Sequence, residues 1–176
     1  MSDFRTFSPN PALVHLVTGG TGAGKTHYSM ALAEKLRAMR FSIDDWMTRL
    51  FWSDAPQPPS FEWAMDRIGR CEAQIRAEVQ ALAALGIASV LDLGFTKADH
   101  REAFAAFADE IGAGVTLHWV DRPAELRWER VQQRNRERGA TYAMDVDRAM
   151  FDFMESEWEA PSAEELARLN GQITSE

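Results

Sequence analysis

The stretch VHLVTGGTGAGKTHYSMALAEKL, Val14 to Leu36, constrains this chain more than any other. Val14 to Val17 is a short β-branched and aliphatic run of the kind that forms a buried strand, and from Lys25 onward apolar residues recur at helical spacing. The chain has to turn sharply between the two. Gly19, Gly20, Gly22 and Gly24, interleaved with Thr21 and Ala23, lack Cβ atoms, so their amides can point inward together and approach an anion closely. The helix that follows adds the positive end of its dipole and its unpaired first N–H groups. The spacing Gly19-x-x-x-x-Gly24-Lys25-Thr26 fits the Walker A pattern, in which the lysine reaches the outer phosphates and the threonine hydroxyl ligates magnesium. The expected ligands are ATP and Mg²⁺. The competing reading is a glycine-rich strand-to-helix turn followed by a surface lysine.

At 176 residues the chain fits one domain, residues 1–176. Nineteen basic against 27 acidic residues give a net charge of −8, which repels a nucleic-acid backbone or an anionic membrane. A small uncharged or cationic partner is easier to accept. No apolar run approaches the length of a membrane span, and the opening MSDFRTFSPNP lacks the hydrophobic core of a signal peptide, so the expected compartment is the cytoplasm. Cys71, the one cysteine, has no internal disulfide partner and sits in a helical pattern as a small buried side chain. Oligomeric state leaves no signal.

Strands alternate with helices along the chain. After the first helix, RFSI is a brief extended piece and DDWMTRLFW turns helical. The proline-rich loop SDAPQPPS follows, and Ser60 can cap a long helix whose apolar face uses Phe61, Ala64, Ile68, Cys71, Ile75, Val79, Leu82 and Leu85. IASVLDLG is a second core strand. Thr96 and Asp99 have capping-box spacing ahead of the next helix, and GVTLHWV is a further strand. Pro123 opens the helix AELRWERVQQRNRERG, Asp145 to Trp158 forms another, and PSAEELARL a short last one. The pattern predicts an α/β, three-layer sandwich: a mostly parallel sheet of about four to five strands, helices on both faces and ligands beyond the carboxyl ends of the strands. Lys25, Asp44 and Asp92 all fall at that edge.

Two adjacent carboxylates, Asp44 and Asp45, close a short strand just before a helix. One can cap the helix; the other is free to orient a substrate hydroxyl and accept its proton. Asp44 is favoured for the second role and Asp45 for capping or orienting the acceptor. Asp92 ends four apolar residues in the pattern that holds magnesium or its water in many phosphate-loop proteins, although any strand can end in Asp. Arg127, Arg130, Arg134 and Arg138 recur at helical spacing with no glutamate four residues before any of them, so something outside the helix should relieve their repulsion. A solvated face suffices for Arg127. Arg134 and Arg138 are expected to close on the triphosphate, with Arg130 on the nucleotide side. Trp46, Trp52, Trp63 and Trp119, with Phe51 and Phe61, include a cluster around the proline loop that could wall an acceptor pocket, or could simply pack in the core. The four histidines lack metal-ligand spacing.

With GGTGAGKT, SIDD, VLDLGFTKADHREAF and RNRERG in place, the chain resembles the small P-loop kinases grouped around chloramphenicol phosphotransferase, zeta toxins and phage-type polynucleotide kinase. The resemblance runs from about Leu13 to Glu165. It implies that Asp44 activates the hydroxyl, that Arg134 and Arg138 belong to a lid at about 123–145, and that about 44–63, with Asp45, Trp46 and Arg49, addresses the acceptor. The expected activity is transfer of the γ-phosphate of Mg·ATP to a hydroxyl of a small molecule. A polynucleotide 5′-hydroxyl kinase and a nucleotide-binding regulator or ATPase without transfer are the alternatives.

Overall fold

In the computed structural model, which describes residues 13–139 and 145–175, the Val14 run lies at the centre of the sheet. Strand β1 (Leu13–Thr18) runs parallel to β3 (Ser89–Asp92) on one side and β4 (Gly114–Val120) on the other, so that Leu16 stands beside Leu91 and Leu117. Strand β2 (Met39–Ser42) adds outside β3, and β5 (Gln172–Thr174) outside β4, giving the order β2-β3-β1-β4-β5 with every pairing parallel. Parallel neighbours cannot be joined by a tight hairpin. The chain therefore returns through α1 (Lys25–Leu36), α2 (Ile43–Leu50) with α3 (Phe61–Ala84), α4 (Ala98–Glu110), and α5 (Ala124–Glu137) with α6 (Arg148–Glu157) and α7 (Ala163–Arg168).

Successive strand residues point to opposite faces, and the core divides accordingly. Val14, Leu16, Leu91 and Leu117 pack with Cys71, Ile75 and Val79 of α3 and Phe104 and Ala108 of α4. Val17, Val90 and Val120 pack with Ala33 of α1 on the other face. A third cluster, Val131, Val146 and Phe151, joins α5 to α6. The α/β P-loop NTPase fold expected from the sequence is thus the one that forms. No helix among the described residues is long and apolar enough to cross a membrane.

Several local expectations need correction. Neither Asp44 nor Asp45 caps α2; Ser42 does, its hydroxyl accepting from the Asp45 amide at 3.3 Å, which leaves both carboxylates for other work. The Thr96–Asp99 capping box does not form, because the residue ahead of α4 is Lys97 and it makes no side-chain cap. Pro123 sits one residue before the helix it was expected to open. Ser60 caps α3 as predicted, but the ends of that helix's apolar stripe run out into water, Phe61 being 82% and Leu85 73% exposed. The sequence pattern extends the helix of α6 too far at both ends: Asp147 caps it and it stops at Glu157. Strand β5 gave no signal, since it is three residues long with Ile173 exposed. Of the expected lid, residues 140–144 lie outside the described residues.

Candidate active site

A cleft of about 590 Å³ opens at the carboxyl end of β1 and β3 and brings together Lys25, Thr26, Asp44, Asp92, Arg130 and Arg134. The loop of Gly19 to Gly24 forms its floor. Most of these glycines answer to protein neighbours rather than to ligand space. A Cβ on Gly19 would stand 2.5 Å from the carbonyl oxygen of Val120, one on Gly20 would run into the Arg127 guanidinium, and one on Gly22 into the Arg127 carbonyl. Gly24 differs in having only the Arg130 guanidinium near such a Cβ, at 3.5 Å, but like Gly22 (φ 80°) it takes a left-handed φ, 98°, where a side chain would be strained.

Lys25 is half-buried and donates from Nζ to the carbonyls of Gly19 (2.8 Å) and Gly20 (3.1 Å). Its pKa is lowered, first by loss of water; Asp92 and Asp44 pull the other way. Arg134 reaches the same cleft from α5, and its Nε is buried with no partner among the described residues. A buried guanidinium N–H without an acceptor, beside an ammonium held only by loop carbonyls, suits an incoming anion.

Asp44 has an exposed side chain at the cleft and a raised pKa, first because surrounding protein displaces water and next because Asp92 repels it; Lys25 offsets part of this. Water in the open cleft damps these effects without reversing them. A carboxylate raised in this way is a stronger base than a free one. Asp45 turns elsewhere. Its carboxylate pairs with Arg40 of β2 at 3.0 Å, and it is not among the residues that line the cleft. Arg40 was not anticipated. It also donates to Asp92 (2.6 Å) and to the Ser29 hydroxyl (2.8 Å), and Ser29 in turn donates to Asp92 (2.9 Å). Asp92 is therefore buried and held by two donors on one oxygen.

The arginine column breaks into different parts. Arg127 is not on a solvated face; it is buried, with both terminal nitrogens on Glu155 of α6 at 2.5 Å, one of them also donating to the Thr21 carbonyl (3.2 Å) and Nε to that of Arg122 (2.9 Å). It props the phosphate loop from behind. Glu155 is thus part of the external relief that the repulsion between the arginines required. Arg130 lies close to the Ala23 carbonyl at 3.4 Å. Arg138 leaves the column because the helix ends at Glu137 and Arg138 takes a left-handed conformation, φ 45°; it pairs with Asp145 at 2.9 Å and does not line the cleft.

The aromatic cluster of the proline loop does not wall the cleft either. Trp46 packs edge-on against Phe41, Trp52 lies against Trp63, and Arg49 is exposed outside the cleft lining. Phe153, Met154 and Trp158, at and just beyond the end of α6, take that place. The stripe Phe151, Met154, Glu155 and Trp158, at spacings of three and four, could have pointed to Met154 and Trp158, whereas Phe153 lies off that stripe, four residues before Glu157. A second cavity, of about 370 Å³, adjoins the cleft through Gly24, His27 and Arg130 and is lined by Tyr28, Val120 and Arg122. Behind it, Tyr28 hydroxyl and His118 Nδ1 lie 2.8 Å apart, and His118 Nε2 and His15 Nδ1 2.9 Å apart. Burial and the neighbouring His15 lower the His118 pKa to about 4.

The central glycine loop, the acidic end of the adjacent strand and the arginine-bearing helix over the cleft define a P-loop nucleotide-binding fold of the small-kinase kind. The chain belongs to the AAA domain family, whose model matches residues 14–161. Similar solved structures include a putative kinase from Chloroflexus aurantiacus (21% identity, TM-score 0.67, covering 94% of this chain and 86% of that one). Kti12 from Chaetomium thermophilum, in complex with ADP-AlF3, is 17% identical, with a TM-score of 0.68 and 92% and 88% covered. The APS kinase CysC from Mycobacterium tuberculosis, in complex with AMPPNP and APS, is also 17% identical, with a TM-score of 0.62 and 95% and 90% covered. No curated protein matches the sequence.

Proposed function

We propose that this protein is an ATP-dependent kinase that transfers the γ-phosphate to a hydroxyl of a small molecule. The observation that carries the reading is Asp44: a carboxylate with a raised pKa that lines the same cleft as Lys25 and Arg134. The triphosphate lies along the loop Gly19 to Thr26. Its nucleoside occupies the second cavity, which shares Gly24 and Arg130 with the first. Lys25 exchanges its loop carbonyls for phosphate oxygens, and Arg134 Nε finds the acceptor it lacks. Thr26 and Asp92, both hard oxygen donors, would hold Mg²⁺, which supplies charge neutralisation on the phosphates when bound.

Asp44 then accepts the proton of the acceptor hydroxyl as its oxygen bonds to the γ-phosphorus. The bond from that phosphorus to the β-phosphate oxygen breaks, and ADP leaves with the electron pair. Lys25 and Arg134 stabilise the charge that develops on the transferring group. Asp45, tied to Arg40, tunes the base from outside the cleft.

The cations that line the cleft, Lys25, Arg130 and Arg134, belong to the phosphate loop and α5, which favours a small acceptor over a polynucleotide needing a basic approach groove. The decisive variant is Asp44→Asn. ATP binding should persist while transfer falls about a hundredfold or more, the range for a positioned general base. Equal transfer by Asp44→Asn and the parent would remove Asp44 as the base, and absence of transfer by the parent would leave only a nucleotide binder.

A further inference from the structure

Resting on the kinase reading, we propose that α6 forms the acceptor wall of the cleft and selects an uncharged or cationic alcohol with an apolar body, against anionic acceptors. The sheet order separates the two ends of the site. Val120, Arg122 and Thr174, which line the second cavity, belong to the β4–β5 side. Asp44, just after β2, and Asp92, which ends β3, lie on the opposite side. The end of α6 is stitched to that side: the Glu159 amide donates to the Thr96 carbonyl at 3.0 Å, and the Ala98 amide donates to the Glu159 carboxylate at 2.9 Å. Arg101, fully buried, adds a bond to the Glu159 carbonyl at 2.9 Å.

The body of α6 is equally fixed. Phe151 is buried against Trp128, ring centroids 5.3 Å apart, and Glu155 is clamped by Arg127. What this rigid helix turns into the cleft is apolar apart from Glu157. Phe153 is 64% exposed, beside Met154 and Trp158, with Ile43 and Val146 also in the lining. A large apolar side chain held in water at the wall of a cleft has surface left to bury, and an apolar ligand body supplies the partner.

Charge gives the second half of the argument. Asp44 and Glu157 are the acidic groups of this side together with Asp92, which shares Arg40 with Asp45. Lys97 serves both Glu157 (3.1 Å) and Glu159 (3.3 Å), one cation for two carboxylates. The cations of the lining, Lys25, Arg130 and Arg134, are engaged by the triphosphate in this reading, so an anionic acceptor would meet Asp44 and Glu157 with no cation left to it, whereas a hydroxyl compound that is neutral or carries an ammonium would meet no such repulsion.

The test is phosphoryl transfer from Mg·ATP by the full chain to four probes: indole-3-ethanol, 2-amino-1-phenylethanol, gluconate and a 5′-hydroxyl dinucleotide. The two aromatic alcohols should exceed both anionic probes in kcat/KM by about tenfold or more. Phe153→Ala should raise the KM for the aromatic alcohols about tenfold and leave the KM for ATP within about twofold, and Phe153→Leu should recover most of the loss. Because Phe153 is exposed, these variants should keep the fold. Preference for gluconate or the dinucleotide, or an unchanged KM in Phe153→Ala, overturns the inference and keeps the kinase reading. Transfer to none of the four while Mg·ATP is still bound removes both.

Discussion

Arg127→Leu should cost this protein more stability than its position in an arginine-rich helix suggests. The change strips Glu155 of both its bonds to Arg127 and takes donors from the carbonyls of Thr21 and Arg122. Removing one partner of a buried ion pair costs about 3–5 kcal/mol, because the other charge is left without compensation. Glu155 keeps 24% of its side chain in water, so about 3 kcal/mol, the lower end, is the appropriate figure. For a chain of this size that lowers Tm by about 6–12 °C. The double variant Arg127→Leu/Glu155→Leu removes both charges together, and apolar residues of similar volume commonly replace a buried pair without loss, so much of the drop should be recovered. Thermal unfolding of the parent, both single variants and the double variant, read by circular dichroism, closes the cycle. A fall of less than about 2 °C in Arg127→Leu, or a double variant no better than the sum of the singles, refutes the reading of this pair as the prop of the phosphate loop.

Stability should also decline in mild acid through His118. Its folded pKa of about 4 lies below the unfolded value of 6.5, so the unfolded chain binds the extra proton between the two. The contribution is present above pH 6.5, is lost as pH falls toward 4, and amounts to about 3 kcal/mol; His118→Gln should flatten urea-unfolding stability across that window. At the cleft, carbon-detected titration of Asp44 should give a pKa above the usual 3.8, and Asp45→Asn should bring it down, since Asp45 contributes to the rise. An Asp44 titration unmoved by Asp45→Asn would break that electrostatic link.

What the sequence made legible is local, and what it hid is remote. The phosphate loop is written in eight consecutive residues, Gly19 to Thr26, and seven consecutive residues of GVTLHWV carry β4. The Ser60 cap needs only its own helix start. Arg40, by contrast, meets Ser29, Asp45 and Asp92 from separate segments, and no spacing rule connects residues 40 and 92. Arg127 and Glu155 lie on different helices, so a reading confined to one helical face saw repulsion and assigned Arg127 to water. The wall of the cleft misled for the same reason. Tryptophans around the proline loop looked like a pocket because they are near Asp44 in sequence, while Phe153 and Trp158 reach the cleft only through contacts that α6 makes with α5 and with the loop after β3. Spacing favours Asp44 over Asp45, but what separates them is Arg40, a remote residue that holds Asp45 outside the cleft that Asp44 lines.

The sheet order also sets a schedule for synthesis. Leu13 to Thr18 is made before its neighbours on the two sides, Ser89–Asp92 and Gly114–Val120, so the phosphate-loop strand has no sheet partner until the chain has been made as far as Asp92 and lacks its second until Val120. Closing such distant pairings has to overcome the entropy of the intervening loop before any contact rewards it. A nascent chain halted at residue 110 should retain no nucleotide analogue, whereas one halted beyond residue 155 and clear of the exit tunnel should begin to, because Glu155 is what steadies Arg127 behind Thr21. Until β3 is made the first strand is a hydrophobic segment without a sheet, a surface of the kind that invites aggregation in a newborn chain.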